Sequence, residues 1–136
     1  HLGLRCADVM SRDVITTTAD ATLGEAWALL QQHRIKALPV IDGSRKLVGI
    51  VTLADFFRIA SAGSDWVDLL VRQAMTVNVY AALPETPMTE LVKEVEKSEH
   101  HHVPVVDASG RVVGMLTQSD MIGALYHKLA LQIEAH

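Results

Sequence analysis

Short apolar runs alternate along this chain with segments whose apolar positions recur every three or four residues. The apolar runs are rich in β-branched side chains and are bounded by turn residues, which is typical of strands. The periodic segments begin at capping signals such as Thr22-Leu23-Gly24-Glu25, which is typical of amphipathic helices. In the first half, the pattern predicts a strand at 13–18, a helix at 22–33, strands at 38–41 and 47–52, and a helix at 53–60.

The second half of the chain predicts the same order of elements. Thr86-Pro87 opens a helix with proline at its favoured first position, and Asp107-Ala108-Ser109-Gly110 turns a hairpin. The small and polar segment 61–65 predicts a linker, whereas 66–70 is apolar again and is expected to pack. The predicted elements are a strand at 77–81, a helix at 86–98, strands at 103–106 and 112–117, and a final helix at 119–131.

Two sequence motifs occur twice at one constant spacing. An apolar-Pro-Val-apolar-Asp motif begins at Leu38 and Val103, and a Gly-x-x-Thr-x-x-Asp motif begins at Gly49 and Gly114, so both offsets are 65 residues (103 − 38 and 114 − 49). A gapless offset over most of each half indicates one β-α-β-β-α unit duplicated in tandem. Since a unit of about 60 residues is only marginally stable alone, we expect the two copies to pack together.

Composition and charge exclude several classes of protein. Hydrophobic residues make up 49% and charged residues 21% of the 136 residues, as in a folded soluble protein, and no apolar run reaches the roughly 18 residues that span a bilayer. The net charge of −4 argues against nucleic acid as a partner but not against a small anionic ligand. The single cysteine, Cys6, excludes an internal disulfide and a cysteine-based zinc site, and it fits a cytoplasmic location.

Thr52-Leu53-Ala54-Asp55 and Thr117-Gln118-Ser119-Asp120 each stand where a predicted strand ends and a helix begins. A threonine followed three residues later by an acid is close to a capping box, and on local sequence alone this is the more common role. The same geometry also suits a nucleoside phosphate, because a helix N-terminus attracts phosphate and a carboxylate accepts hydrogen bonds from a ribose diol. The residues alone leave both interpretations open.

The paired motifs resemble the tandem cystathionine-β-synthase (CBS) domain, also called a Bateman module, over about residues 5–127. The matching dipeptides Val9-Met10 and Ala74-Met75 add to the resemblance. It implies an α+β (mixed α/β) fold in which two tandem β-α-β-β-α CBS units pack as a pseudo-twofold pair. The corresponding boundaries are 5–60 for unit 1, 61–70 for a linker, 71–128 for unit 2 and 129–136 for a helical tail.

The resemblance also implies that clefts between the units bind AMP, ADP, ATP or S-adenosylmethionine. With it, nucleotide binding in at least one cleft is favoured over the simple cap. By the resemblance, Asp55 and Asp120 hold ribose hydroxyls, and Thr52 and Thr117 touch phosphate. The other residues it implies are Ile15, Thr16, Tyr80 and Ala81 at the adenine edge, Leu38, Pro39, Val103 and Pro104 at the adenine face, and Lys36 and His101 at phosphate.

His100-His101-His102 has three competing interpretations. In an extended segment His100 and His102 share one side and His101 faces the other. Solvated or hydrogen-bonded histidines come first, a phosphate contact by His101 second, and a metal site third, because no nearby third ligand is evident. We therefore predict no metal site.

The function expected is that of a non-catalytic regulatory module. A ligand bound in a cleft would transmit a conformational change to an attached domain or partner; the alternative is a structural dimerisation module without ligand. The sequence shows no nucleophile–base pair and no cluster of metal ligands, so neither catalysis nor a catalytic cofactor is expected. We expect a homodimer formed through the CBS helices. The stretches 25–30, 33–40 and 49–56 also resemble the CBS pair of HPP-type bacterial membrane proteins, which implies a cytosolic module whose membrane domain lies outside this chain.

Overall fold

Helices and short strands alternate along the chain in a computed structural model that describes residues 3–63, 65–98 and 101–135. The fold is therefore a mixed α/β fold, as predicted. Its elements, in chain order, are α1 (Cys6–Val9), β1 (Thr17–Thr18), α2 (Leu23–His33), β2 (Ala37–Ile41), β3 (Leu47–Thr52), α3 (Leu53–Ser61), a 3₁₀-helix (Val71–Gln73), α4 (Met88–Ser98), β4 (His102–Val106), β5 (Val112–Thr117) and α5 (Gln118–Glu134).

The predicted hairpins and long helices lie within a few residues of their observed positions, but the strand that opens each repeat was predicted too long. Only Thr17 and Thr18 pair with β2, in parallel. In place of the predicted strand at 77–81, a single parallel bridge joins Ala82 to Val105. The prediction was wrong because β-branched composition favours an extended backbone, whereas a strand also needs a partner along its length.

Contacts divide the chain into two compact units. The unit that we call the first-repeat unit contains residues 15–79 and 109–112, and the second-repeat unit contains the described residues of 1–14, 80–108 and 113–136. The repeat boundaries taken from the sequence follow the duplication, so they divide the chain differently. They remain a prediction about the repeat, and each unit is described below by itself.

The first-repeat unit folds around a three-stranded sheet in the order β1-β2-β3. The apolar face of α2 packs on this sheet, and Leu23 and Leu30 of that helix are buried against Leu38 and Val51 of the strands. Burying one such side chain contributes about 1.5–3 kcal/mol to stability. The helix starts at a full capping box, since Thr22 Oγ1 accepts from Glu25 N–H at 3.1 Å while Glu25 Oε1 accepts from Thr22 N–H at 3.3 Å.

The second-repeat unit contains β4, β5 from residue 113 onwards, α4, α5 and the start of the chain. Cys6 and Met10 are buried in its core with Leu91, Val103 and Leu116. The chain start also forms main-chain hydrogen bonds in this unit: the backbone N–H at 88 donates to the carbonyl at 4, and the N–H at 11 donates to the carbonyl at 115. These contacts anchor the N-terminal segment to the second repeat, to which it does not belong in sequence.

An equivalent segment covers the first repeat. The backbone N–H of Leu23 donates to the carbonyl of Leu69 at 2.7 Å, and Ile50 and Thr76 exchange two hydrogen bonds. The positions 69 and 76 lie 65 residues after 4 and 11, so the duplication is preserved in these contacts as well. The segment 66–76 therefore serves the first repeat as 3–11 serves the second.

Candidate functional site

The first predicted junction lies in the first-repeat unit, where β3 ends at Thr52 and α3 begins at Leu53. Asp55, in the first turn of α3, is buried, with 3% of its surface exposed. Its Oδ2 accepts hydrogen bonds from the Thr52 backbone N–H at 2.9 Å and from the Thr52 hydroxyl at 3.2 Å. The Asp55 carboxylate thus accepts from the residue that precedes α3, as expected for a helix cap.

The second oxygen of Asp55 is also occupied. Arg58 Nη1 donates to Asp55 Oδ1 at 3.0 Å, and the Thr76 hydroxyl lies 3.5 Å from the same oxygen. The guanidinium is held in place by a further hydrogen bond from Arg58 Nη2 to the Ala74 carbonyl at 2.9 Å. Both oxygens of this buried carboxylate therefore already have donors from the protein.

The second junction lies in the second-repeat unit, where β5 ends at Thr117 and α5 begins at Gln118. Asp120 Oδ2 accepts from the Thr117 backbone N–H at 2.8 Å and from the Thr117 hydroxyl at 3.1 Å, which repeats the first junction. In the described part of the chain, the hydrogen bonds to this carboxylate end on Oδ2, and Asp120 is only partly buried. Its Oδ1 is therefore the oxygen left to accept from a ligand.

The two junctions differ at one helical position. Arg58 is three residues after Asp55, and the residue three after Asp120 is Gly123. A Cβ atom added at Gly123 would meet nothing within 4 Å, so the space at this helical position is open. Sequence reasoning missed Arg58 as a site residue, although the constant offset of 65 pairs it with a glycine and gave a signal that the two sites differ.

The remaining predicted residues of each repeat lie in the same unit as their junction. The strand residues predicted to face adenine are buried in β2 and β4, and Lys36 and His101 are exposed directly before those strands. The half-buried residues directly before the β1 strand and the Ala82 bridge are Ile15, Thr16, Tyr80 and Ala81. Ligand roles for all of these residues stay predictions.

The histidine run gives no metal site in the part of the chain that the structure describes. His100 lies outside the described residues, His101 is exposed and His102 is half-buried at the start of β4. No group of three or more His, Cys, Asp or Glu side chains within residues 3–63, 65–98 and 101–135 is placed to hold a metal ion. Within the same residues, every helix is too short or too polar to cross a bilayer.

Two titratable groups of the second-repeat unit remain in their neutral form at neutral pH. Burial, and after it the Glu90 carboxylate, raise the pKa of the Cys6 thiol to about 11. Burial also raises the pKa of Tyr80, and the carboxylates of Glu94 and Glu90 raise it further. Because a protonated thiol is a poor nucleophile, Cys6 is suited to packing and not to covalent chemistry.

The amino-acid sequence is similar to those of known proteins. A family model described as the CBS domain matches residues 6–62 and again residues 71–127. An inosine-5′-monophosphate dehydrogenase from Korarchaeum cryptofilum is 37% identical over 130 residues, which is 96% of this chain and 26% of that protein. The chain spans about a quarter of the length of this and two other curated relatives.

Solved structures show that the fold is similar as well. A CBS domain pair solved in complex with 5′-methylthioadenosine and S-adenosyl-L-methionine superposes with a TM-score of 0.85 at 30% identity, covering 93% of this chain and 99% of that chain. CBSX2 from Arabidopsis thaliana, solved in complex with AMP, superposes with a TM-score of 0.78 at 25% identity, covering 97% and 99%. This chain is thus similar over nearly its whole length to proteins that hold adenosyl compounds.

Proposed function

This chain belongs to the CBS domain family as a tandem pair of CBS domains, and we propose that it is a non-catalytic regulatory module that binds an adenosyl ligand at the Thr117–Asp120 junction. The observation that carries the proposal is the Asp120 carboxylate. Thr117 orients it through Oδ2, while Oδ1 is left to accept a hydrogen bond. An ionised carboxylate with a free oxygen is a strong acceptor for ribose hydroxyls.

The start of α5 adds favourable electrostatics for a ligand. The first backbone N–H groups of a helix have no partner inside the helix, and α5 is 17 residues long. A phosphate or carboxylate of the ligand would be stabilised there, with His101 as a further donor. The compounds named for the two similar structures share an adenosine group, so AMP, ADP, ATP and S-adenosylmethionine are the ligands we propose.

Regulation follows if the ligand binds one conformation of the module better than another. A ligand shifts a conformational equilibrium only by its difference in affinity for the two states. Because three curated relatives are about four times longer than the matched part, we propose that the module acts on an attached domain or a partner protein. An HPP-type membrane domain and a cytosolic location stay predictions of the same kind.

The direct test is calorimetric titration of the whole chain with AMP, ADP, ATP and S-adenosyl-L-methionine. We expect saturable heat with at least one of them, and the same ligand should raise the melting temperature, since it binds the native state and not the unfolded chain. Guanosine monophosphate is the matched control for a ribose phosphate without adenine. The proposal fails if no adenosyl compound produces heat or a thermal shift at millimolar concentration.

A second candidate function, a structural dimerisation module, is favoured by one face of α5. Six large apolar side chains on this helix are exposed by 43–75%. All of them except Leu131 recur every three or four residues, so five share one side of the helix. A second copy of this chain is the partner that we propose for this face, whose residues are Ile122, Leu125, Tyr126, Leu129 and Ile133.

A charge placed on this face is expected to dissociate the dimer into monomers. Leu129→Glu puts a carboxylate within the apolar row, so we expect the mass measured by light scattering to fall from that of two chains to that of one. His127→Glu, on the opposite side of α5, is the matched control and should leave the mass unchanged. A wild-type chain that is already monomeric at high micromolar concentration contradicts the proposal.

A further inference from the structure

The two junctions have the same sequence motif, but only one carboxylate is available. Asp55 Oδ2 is used by Thr52, and Asp55 Oδ1 is used by Arg58 at 3.0 Å. Asp120 Oδ2 is used by Thr117 in the same way, and the position of Arg58 is taken by Gly123. The difference therefore lies in the donors to Oδ1: Asp55 has Arg58 at 3.0 Å and the Thr76 hydroxyl at 3.5 Å, whereas α5 has Gly123 at the position of Arg58.

The contact made by Arg58 is restrained at two points. One nitrogen donates to the buried carboxylate, and the other donates to the Ala74 carbonyl at 2.9 Å. The Asp55 side chain is 4% exposed, whereas that of Arg58 is 60% exposed, so the guanidinium lies on the solvent side of the pair. A ribose hydroxyl that approached Asp55 would have to displace the guanidinium and break an ion pair, in which both the donor and the acceptor are charged.

We propose that Arg58 closes the first junction to ligands, so that the module offers one adenosyl site, at Asp120, instead of two. This inference rests on the proposed function, because it concerns the ligand of the same kind of junction. Arg58 acts as an internal occupant: its guanidinium donates to the oxygen that a ribose hydroxyl would otherwise use. Gly123 leaves the equivalent space of the second junction empty of side-chain atoms.

The test exchanges the two side chains in the full chain and counts binding sites. With AMP and S-adenosyl-L-methionine as probes, calorimetry should give one site per wild-type chain and two sites for Arg58→Ala. Arg58→Lys keeps a cation at the position and should retain one site. Gly123→Arg places a guanidinium three residues after Asp120, as in the first junction, and should weaken binding there at least tenfold.

A second measurement tests, without any ligand, whether each carboxylate is accessible to a chemical reagent. Carbodiimide-driven amidation followed by peptide mass spectrometry should modify Asp120 and spare Asp55 in the wild-type chain. Arg58→Ala should raise the modification of Asp55 at least tenfold, and Arg58→Lys should not. Circular dichroism melts show whether each variant is folded. If Arg58→Ala is not folded, Gly123→Arg carries the comparison, since it should lower the modification of Asp120.

The possible outcomes show whether the role of Arg58 or the proposed function is wrong. Two equal sites in the wild-type chain, or equal amidation of Asp55 and Asp120, overturns the assignment of Arg58. One site in both the wild-type chain and folded Arg58→Ala overturns it too. If the amidation contrast holds but no variant binds either probe, the proposed function falls and the closure of Asp55 by Arg58 stands.

Discussion

Replacing Asp120 with alanine is expected to lower the affinity for an adenosyl ligand by roughly 10- to 100-fold. A hydrogen bond to a charged group is worth about 1.5–3 kcal/mol, and about 1.4 kcal/mol corresponds to a tenfold change in the dissociation constant. The ribose hydroxyls would lose the carboxylate that Thr117 holds in place through Oδ2. Calorimetric titration of wild type and variant with the same ligand measures the difference.

The ligand provides a second way to remove the same interaction. The 2′-deoxy analogue of the ligand should bind the wild-type chain more weakly than the ribose compound, but should bind Asp120→Ala no more weakly than the ribose compound does. Such non-additivity indicates a direct contact between two groups. Asp55→Ala is the matched control, since it removes the equivalent cap and should lower thermal stability while leaving affinity nearly unchanged. A loss of affinity in Asp55→Ala and not in Asp120→Ala contradicts the assignment of the site.

Much of the fold could be predicted because its signals are local. The turn after Ile41 and the alternation around it predict the β2-β3 hairpin, and the capping box at Thr22 predicts the start of α2. The offset of 65 residues then transfers each element to the second half. Such signals need only neighbouring residues, so no knowledge of tertiary contacts was required.

The chain segments that pack against a different repeat could not be predicted in this way. Cys6 and Met10 look like the start of the first repeat, yet both are buried in the second-repeat unit. The bridge between Ser11 and Met115 joins residues more than 100 positions apart, and no local pattern specifies such a partner. The length of β1 could not be predicted for the same reason, because it is set by how many residues pair with β2.

At the candidate site, the sequence predicted the equivalence of the two junctions better than their difference. The Thr-x-x-Asp motif correctly identified the side chains at both strand-to-helix boundaries. Whether a carboxylate is available depends on its other contacts, and those of Asp55 come from Arg58 and Thr76. Thr76 is 21 residues away from Asp55, which places this contact beyond the reach of a motif.

Removing residues 1–11 is expected to destabilise the second-repeat unit more than the first-repeat unit. The deletion takes Cys6 and Met10 out of the core and removes the carbonyl of Leu4, which accepts from the first backbone N–H of α4. Buried apolar side chains contribute about 1.5–3 kcal/mol each and hydrogen bonds about 0.5–1.5 kcal/mol each. The loss is on the order of 5 kcal/mol, comparable to the whole stability of many small domains.

Two spectroscopic signals can follow the two units separately in a urea titration. Trp27 and Trp66 pack with Phe56 in the first-repeat unit, with ring centroids 5.3–6.3 Å apart, so their fluorescence reports on that unit. The helical circular dichroism also includes α4 and α5. In the shortened chain we expect a reduced helical signal, with a fluorescence transition still present. Removal of residues 1–3 alone is the control, because it keeps Leu4, Cys6 and Met10 and should match wild type. An unchanged helical signal and midpoint after removal of 1–11 would mean that the N-terminal segment contributes little to the unit on which it packs.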